Sequence, residues 1–137
     1  MRAVMDRRLM SIAAVLGFTG VALGALGAHG LKSALEGLPD AAQRLGWWET
    51  AARYHLVHAL AVGFTAVVAA HSTGRGARVA AVLFLAGIAI FSGSLYVMGA
   101  TGLKALGALT PVGGFAQLGG WIALAVAAWR SQGAKAA

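Results

Sequence analysis

The sequence has no cysteine and little charge: its 137 residues include 11 lysines and arginines and 4 aspartates and glutamates. Without cysteine there is no disulfide, thiolate metal site or thiol nucleophile, and the redox compartment stays undetermined. Charged residues make up 11% of the chain, against about 25% in soluble domains. They also cluster between apolar runs, so a water-facing body of this size would lack polar cover. The H-E-x-x-H zinc-protease pattern is missing. Thr110-Pro111-Val112-Gly113-Gly114 lacks the following Lys-Ser/Thr pair of a nucleotide loop and reads as a bent helix entry. The net charge of +7 is not spread as a Lys/Arg stripe interleaved with aromatics, which argues against nucleic acid. Basic residues beside apolar spans instead meet anionic headgroups.

What is present is hydrophobic length. A helical span needs about 20 mainly apolar residues. Four such runs predict membrane spans at about 9–28, 52–71, 78–101 and 111–130. The second contains His55 and His58; Lys104 alone separates the apolar stretches of the third and fourth. Pro111 is expected to open the fourth helix, since proline is tolerated in a first helical turn, leaving 102–110 as a short loop. Between the first two spans, Pro39-Asp40 followed by Ala41, Ala42, Leu45, Trp47 and Trp48 predicts a short interfacial helix, with the tryptophans at headgroup depth. His71–Arg78 reads as a tight polar turn and Ser131–Ala137 as a fraying tail. The expected fold is all-α: one domain of four transmembrane helices, up-down-up-down.

Gly17, Gly20, Gly24 and Gly27 are spaced three, four and three apart and share one helix stripe, where a neighbouring backbone can approach closely. A cleaved signal peptide is the competing reading of the first run, given its basic start and the small residues Ala25–Ala28, but a discarded peptide needs no glycine seam. Ser92, Gly93 and Ser94 form a second small-residue packing surface, with no base beside them in sequence to activate a serine.

The hexad Gly27-Ala28-His29-Gly30-Leu31-Lys32 returns at Gly99-Ala100-Thr101-Gly102-Leu103-Lys104 with five identities, and Pro39 and Pro111 follow at equal distance. Phe18-Thr19-Gly20 also resembles Phe91-Ser92-Gly93, one residue out of register. Duplication of a hairpin is the better explanation; with both units starting on one side, their axis would lie along the membrane normal.

One side carries Arg2, Arg7, Arg8, Arg75, Arg78, Arg130 and Lys135, the other Lys32, Arg44, Arg53 and Lys104. Seven against four predicts both termini in the cytoplasm or the equivalent matrix side.

Polar groups gather toward the other side: His29, Glu49, Arg53, Tyr54, His55, His58, Tyr96 and Gln117. Ionisable groups at membrane depth are costly and usually face the bundle or water. His55 and His58 share a helix face. With His29 and Glu49 they offer an N/O metal set, a proton relay or, more simply, hydrogen bonds between helices; the last is favoured, and no metal site is assigned. His58 lies deepest and is expected to meet His29 or Tyr96. Glu49 and Arg53, at i and i+4, suggest an interfacial ion pair.

The blocks Gly24–Lys32, Trp48–Leu60 (with Tyr54-His55 and His58-Ala59-Leu60), Phe91–Tyr96, Leu106–Gly114 and Gly120-Trp121 together resemble the small bacterial membrane proteins grouped as domain of unknown function 423, related to the eukaryotic transmembrane protein 256 group. That pattern often has glutamine where this chain has His55, a departure that weighs against a two-histidine metal site. The resemblance implies an integral inner-membrane protein of four helices, with no known activity, substrate or cofactor.

Three function classes remain from sequence. The first is a non-enzymatic assembly, stabilising or accessory membrane protein. The second is a small transporter, channel or lipid/quinone-binding protein using polar groups around His58. The third, with least support, is a membrane enzyme. No catalytic residue and no cofactor is assigned. Membrane lipids are the expected surroundings, with a second copy or a membrane-protein partner; nucleic acid is not expected. An accessory protein should expose an apolar, glycine-lined face. A binder should show a cavity reaching His58.

Overall fold

The computed structural model describes residues 5–72 and 75–133, without the side chains of Gln132 and Gly133. Arg2, Lys135 and the tail beyond Gly133 lie outside it. The described residues are helical throughout their ordered elements: α1 (Arg7–Leu26), a π turn (Gly27–Leu31), α2 (Lys32–Ala34), α3 (Ala41–His71), α4 (Gly76–Gly87), a second π turn (Ile88–Ser92), α5 (Gly93–Thr101), a 3-10 turn (Lys104–Ala108) and α6 (Thr110–Gly133). They form four helices long and apolar enough to cross a membrane, Arg7–Ala34, Ala41–His71, Gly76–Thr101 and Lys104–Ser131. A helix satisfies its own backbone where lipid offers no partner, which is why such runs take this form.

The ends follow local chemistry. Asp6 caps α1, its carboxylate accepting from the N–H groups of Arg8 and Leu9 at 3.1 and 3.2 Å. Gly102 ends α5 in the left-handed region, φ 77°, with its N–H on the Met98 carbonyl at 2.8 Å. Thr110 and Pro111 open α6. The tail expected to fray from Ser131 remains helical to Gly133.

Two boundaries differ from expectation. The first span does not stop near Ala28 but runs through its π turn to Ala34. No separate interfacial helix forms at Ala41–Trp48; these residues are the start of the 31-residue α3. At 1.5 Å per residue α3 is about 46 Å long, longer than the ~30 Å hydrocarbon core, so its first turns project beyond it without needing a break. Trp48 lies in this first part of α3. It is buried, and its indole N–H donates to the Leu23 carbonyl at 2.7 Å.

The first and second spans pack most extensively on each other, as do the third and fourth. The second span also contacts the third and fourth, whereas the first lies mainly against the second and is the least buried. Ala13, Ala61, Val62, Ala80, Phe84 and Leu124 form one core cluster; Ala51, Leu95 and Met98 form another toward the loop end. The repeated hexads adopt different conformations: Gly30 is helical within a π turn, whereas Gly102 terminates a helix.

Candidate functional site

Arg53, Tyr54, Val57 and His58 fall on one face of α3, and Gly114, Gln117, Leu118 and Trp121 on one face of α6. Their spacings of three and four residues produce those faces. With Phe91 of the second π turn they line a cavity of about 570 Å³. Two glycines set its shape. A Cβ on Gly113 would strike the Phe91 backbone, and one on Gly87 would strike the Gln117 side chain. The absent side chains let α6 lie against the π turn, a wider helical turn that often occurs at functional sites. Phe91 packs on Tyr54 with ring centroids 4.7 Å apart.

His58 is only 4% exposed, and both of its nitrogens are occupied. Nδ1 lies 2.8 Å from the Tyr54 carbonyl, an acceptor, so it must carry the proton. Nε2 then accepts from the indole N–H of Trp121 at 3.2 Å. His55 has the opposite arrangement. The Thr19 hydroxyl already donates to the carbonyls of Val15 and Leu16, each at 3.0 Å. It is therefore an acceptor for His55 Nε2–H, at a long 3.5 Å. The Tyr96 hydroxyl, 3.3 Å away, donates to His55 Nδ1. His55 thus links the first three spans, and His58 links the second to the fourth.

Gln117 is 3% exposed, and its amide nitrogen is buried without a hydrogen-bond partner. An unmet buried donor costs about 1–3 kcal/mol. A half-turn about the last side-chain bond exchanges the amide nitrogen and oxygen, so the carboxamide can turn its donor toward the cavity it lines, its oxygen then taking the enclosed position.

The other candidate residues do not join this site. His29 is exposed within the first π turn; Gly27, two residues before it, packs on Trp48, ten residues or about 15 Å along α3 from His58. It meets neither His58 nor His55, and His58 meets Trp121 rather than Tyr96. Glu49 and Arg53 are both exposed, and no ion pair joins them among the described residues; an exposed pair gains little from closing. No group of three or more histidine, aspartate and glutamate side chains converges on a possible metal position among the described residues.

The packing residues divide similarly. A Cβ on Gly20 would approach Leu56 to 2.8 Å, and one on Gly27 would strike the Trp48 ring. Gly24 faces only Ala52 at 3.9 Å, and Gly17 has nothing within 4 Å. Ser92 is fully buried with its hydroxyl unpartnered, whereas a Cβ on Gly93 would meet nothing within 4 Å. Consecutive helical residues point about 100° apart, so the two neighbours do not present one packing surface.

Sequence reasoning missed Thr19 and Trp121 as histidine partners and Arg44 as a tie to the third span. Arg44 donates through Nε to the Gly99 carbonyl at 2.9 Å and through Nη2 to the Ala100 carbonyl. Trp121 had one available signal: it follows Gln117 by four residues and so shares its helix face.

The sequence profile of the family described as "Protein of unknown function (DUF423)" matches residues 23–114. The chain is 42% identical over 118 residues to the UPF0382 membrane protein YwdK of Bacillus subtilis, covering 85% of this chain and 92% of that one. It is 36% identical over 128 residues to a UPF0382 membrane protein of Haemophilus influenzae, covering 93% and 98%. It is also 36% identical over 125 residues to the UPF0382 inner membrane protein YgdD of Escherichia coli K12, covering 91% and 92%. No solved structure matches. With four membrane-length helices and relatives matched over nearly their whole lengths, the chain belongs to the DUF423 family of bacterial membrane proteins.

Proposed function

We propose that this protein is a non-enzymatic inner-membrane protein that holds one amphipathic molecule in the cavity between its second and fourth spans, with both termini in the cytoplasm. The observation that carries this reading is the Gln117 carboxamide, buried on the cavity wall with its amide nitrogen unpartnered. Buried polar groups nearly always have partners; turned toward the cavity, the amide donor would find one in a bound acceptor. The walls suit an amphiphile, with Val57, Phe91, Leu118 and Trp121 apolar and Arg53 cationic. A non-enzymatic role agrees with the histidine geometry. Both nitrogens of His58 are committed to structural bonds.

The test is solvent extraction of the protein purified in mild detergent, followed by mass spectrometry. One amphiphile per chain is expected for the wild type and its loss for Gly114→Leu, which fills the cavity; equal recovery from both would refute the reading. The orientation rests on the seven-to-four Lys/Arg split. A reporter active only in the cytoplasm should work when fused after Ala137 and fail when inserted near Glu36.

A second reading, an accessory protein packed on a membrane partner, is favoured by a separate apolar groove of about 690 Å³ between the first two spans. Its lining includes Ala13, Gly17, Ala59 and Gly63. The chain has no cysteine, so Gly17→Cys gives a single crosslinking site. A discrete crosslinked partner would support this role, and labelling by lipid-phase reagents alone would oppose it.

A further inference from the structure

The cavity's hydrogen-bonding groups identify the class of molecule that fits. This inference rests on the binding function proposed above and specifies its ligand. Arg53 presents five N–H donors, no acceptor and a permanent charge. Gln117 adds an amide donor once its carboxamide makes the half-turn that exchanges nitrogen and oxygen. The acceptor nitrogen of His58 is already taken by the Trp121 N–H, and that donor is thereby used as well. Tyr54, 42% exposed, adds a hydroxyl able to act either way. A complementary ligand must therefore be rich in acceptors and negatively charged at one end. A headgroup dominated by amines or sugar hydroxyls would bring surplus donors.

The donors also have an order in depth. α3 and α6 run in the same direction, away from the loop end that carries Lys32 and Lys104. Phe91 packs on Tyr54, and the Gly113 backbone lies against Phe91, so Arg53 and Tyr54 share a level with Gly113 and Gly114. Gln117 is three residues farther along α6, about 4.5 Å deeper at 1.5 Å per residue. The bonded pair His58 and Trp121 closes the inner end. From the loop end inward the sequence is cation, amide donor, then apolar wall.

We propose that the cavity binds a single anionic glycerophospholipid, its phosphate on the Arg53 guanidinium and an ester carbonyl on the Gln117 amide. In such a lipid the phosphate, the ester carbonyls and the acyl chains follow one another with depth in the same order. Guanidinium and phosphate form charge-assisted, often paired hydrogen bonds. A lipid without a headgroup ammonium leaves its phosphate free of internal competition for that charge. A quinone would offer carbonyls to Gln117 but no negative charge to Arg53.

The test is native mass spectrometry of the full chain from micelles containing equal amounts of phosphatidylglycerol, phosphatidylcholine and a long-chain ubiquinone. The wild type should retain one phosphatidylglycerol, favoured about tenfold over phosphatidylcholine on the scale of one charge-assisted hydrogen bond. Arg53→Gln should abolish the headgroup preference while retention persists. Gln117→Leu should reduce retention of both phospholipids about equally. Gly114→Leu, which leaves both polar groups in place, should abolish retention, and it covers the case in which Gln117→Leu fails to fold. Equal retention of the two phospholipids by the wild type would overturn the anionic assignment. Retention of ubiquinone instead, lost in Gln117→Leu, would overturn the phospholipid proposal and leave the cavity reading standing. Retention unaffected by Gly114→Leu would remove both.

Discussion

The indole N–H of Trp121 donates to Nε2 of His58 at 3.2 Å, and this bond determines which imidazole nitrogen carries the proton. With the Nδ1 proton on the Tyr54 carbonyl, the ring has no free hydrogen-bonding position. The deepest histidine is therefore a tie between spans, and the cavity's open polar capacity passes to Gln117. Trp121→Phe keeps an aromatic body against Phe84 but leaves His58 Nε2 unpaired. Thermal unfolding in detergent should show a loss of roughly 1–3 kcal/mol. Unchanged stability would mean that the bond contributes nothing.

Trp48 occupies the space left by two glycines on different spans. A Cβ on Gly27 would strike its ring, and one on Gly99 would approach its Cβ to 3.2 Å and the Arg44 carbonyl to 3.0 Å. The ring cannot swing aside cheaply, because its N–H is bonded to the Leu23 carbonyl. Gly27→Ala should cost roughly 1–3 kcal/mol as overpacking does. Gly17→Ala, facing open space, should be neutral or stabilising by up to about 1 kcal/mol, since alanine is the better helix former. Comparing their unfolding midpoints checks the account; equal effects would contradict it.

Arg44 satisfies two carbonyls where α5 ends, those of Gly99 and Ala100. Arg44→Leu should unpair them and fray the third span's end. Hydrogen exchange at Gly102 and Leu103, beside that end, should rise severalfold, while exchange in the middle of α4 stays unchanged. A uniform rise across the molecule would instead indicate global destabilisation.

His55 accepts from Tyr96 and donates to Thr19. Glutamine retains one donor and one acceptor, so His55→Gln should change the unfolding midpoint little. His55→Leu leaves the Tyr96 hydroxyl without its acceptor and should cost roughly 1–3 kcal/mol. A glutamine variant as unstable as the leucine variant would show that the ring's shape matters more than its bonds.

The number of spans was legible because each holds a long, mainly apolar run, and the start of the fourth because Pro111 can occupy only a first turn or a break. Gly20 and Gly27 were legible as a close-packing seam from their spacing. The π turns were not. Nothing in Gly27–Leu31 or Ile88–Ser92 announces an extra residue in a helical turn. The pairing of histidines with partners was equally hidden. Spacing puts His55 and His58 near one face, but which one meets Tyr96 and which meets Trp121 depends on how α5 and α6 cross α3. Gln117 was visible as a polar residue in an apolar run; its missing partner emerges only from the packing of α6 on Gly87.

The central claim is that Gln117 completes its hydrogen bonding with a bound molecule, and an experimental density map of the protein in bilayer nanodiscs made from its native lipids tests it most directly. The account predicts elongated density between α3 and α6, with an oxygen-bearing group within hydrogen-bond distance of the Gln117 amide and a headgroup beside Arg53. A collapsed or empty cavity, with the Gln117 amide bonded to Ser92 or to a backbone carbonyl, would contradict it.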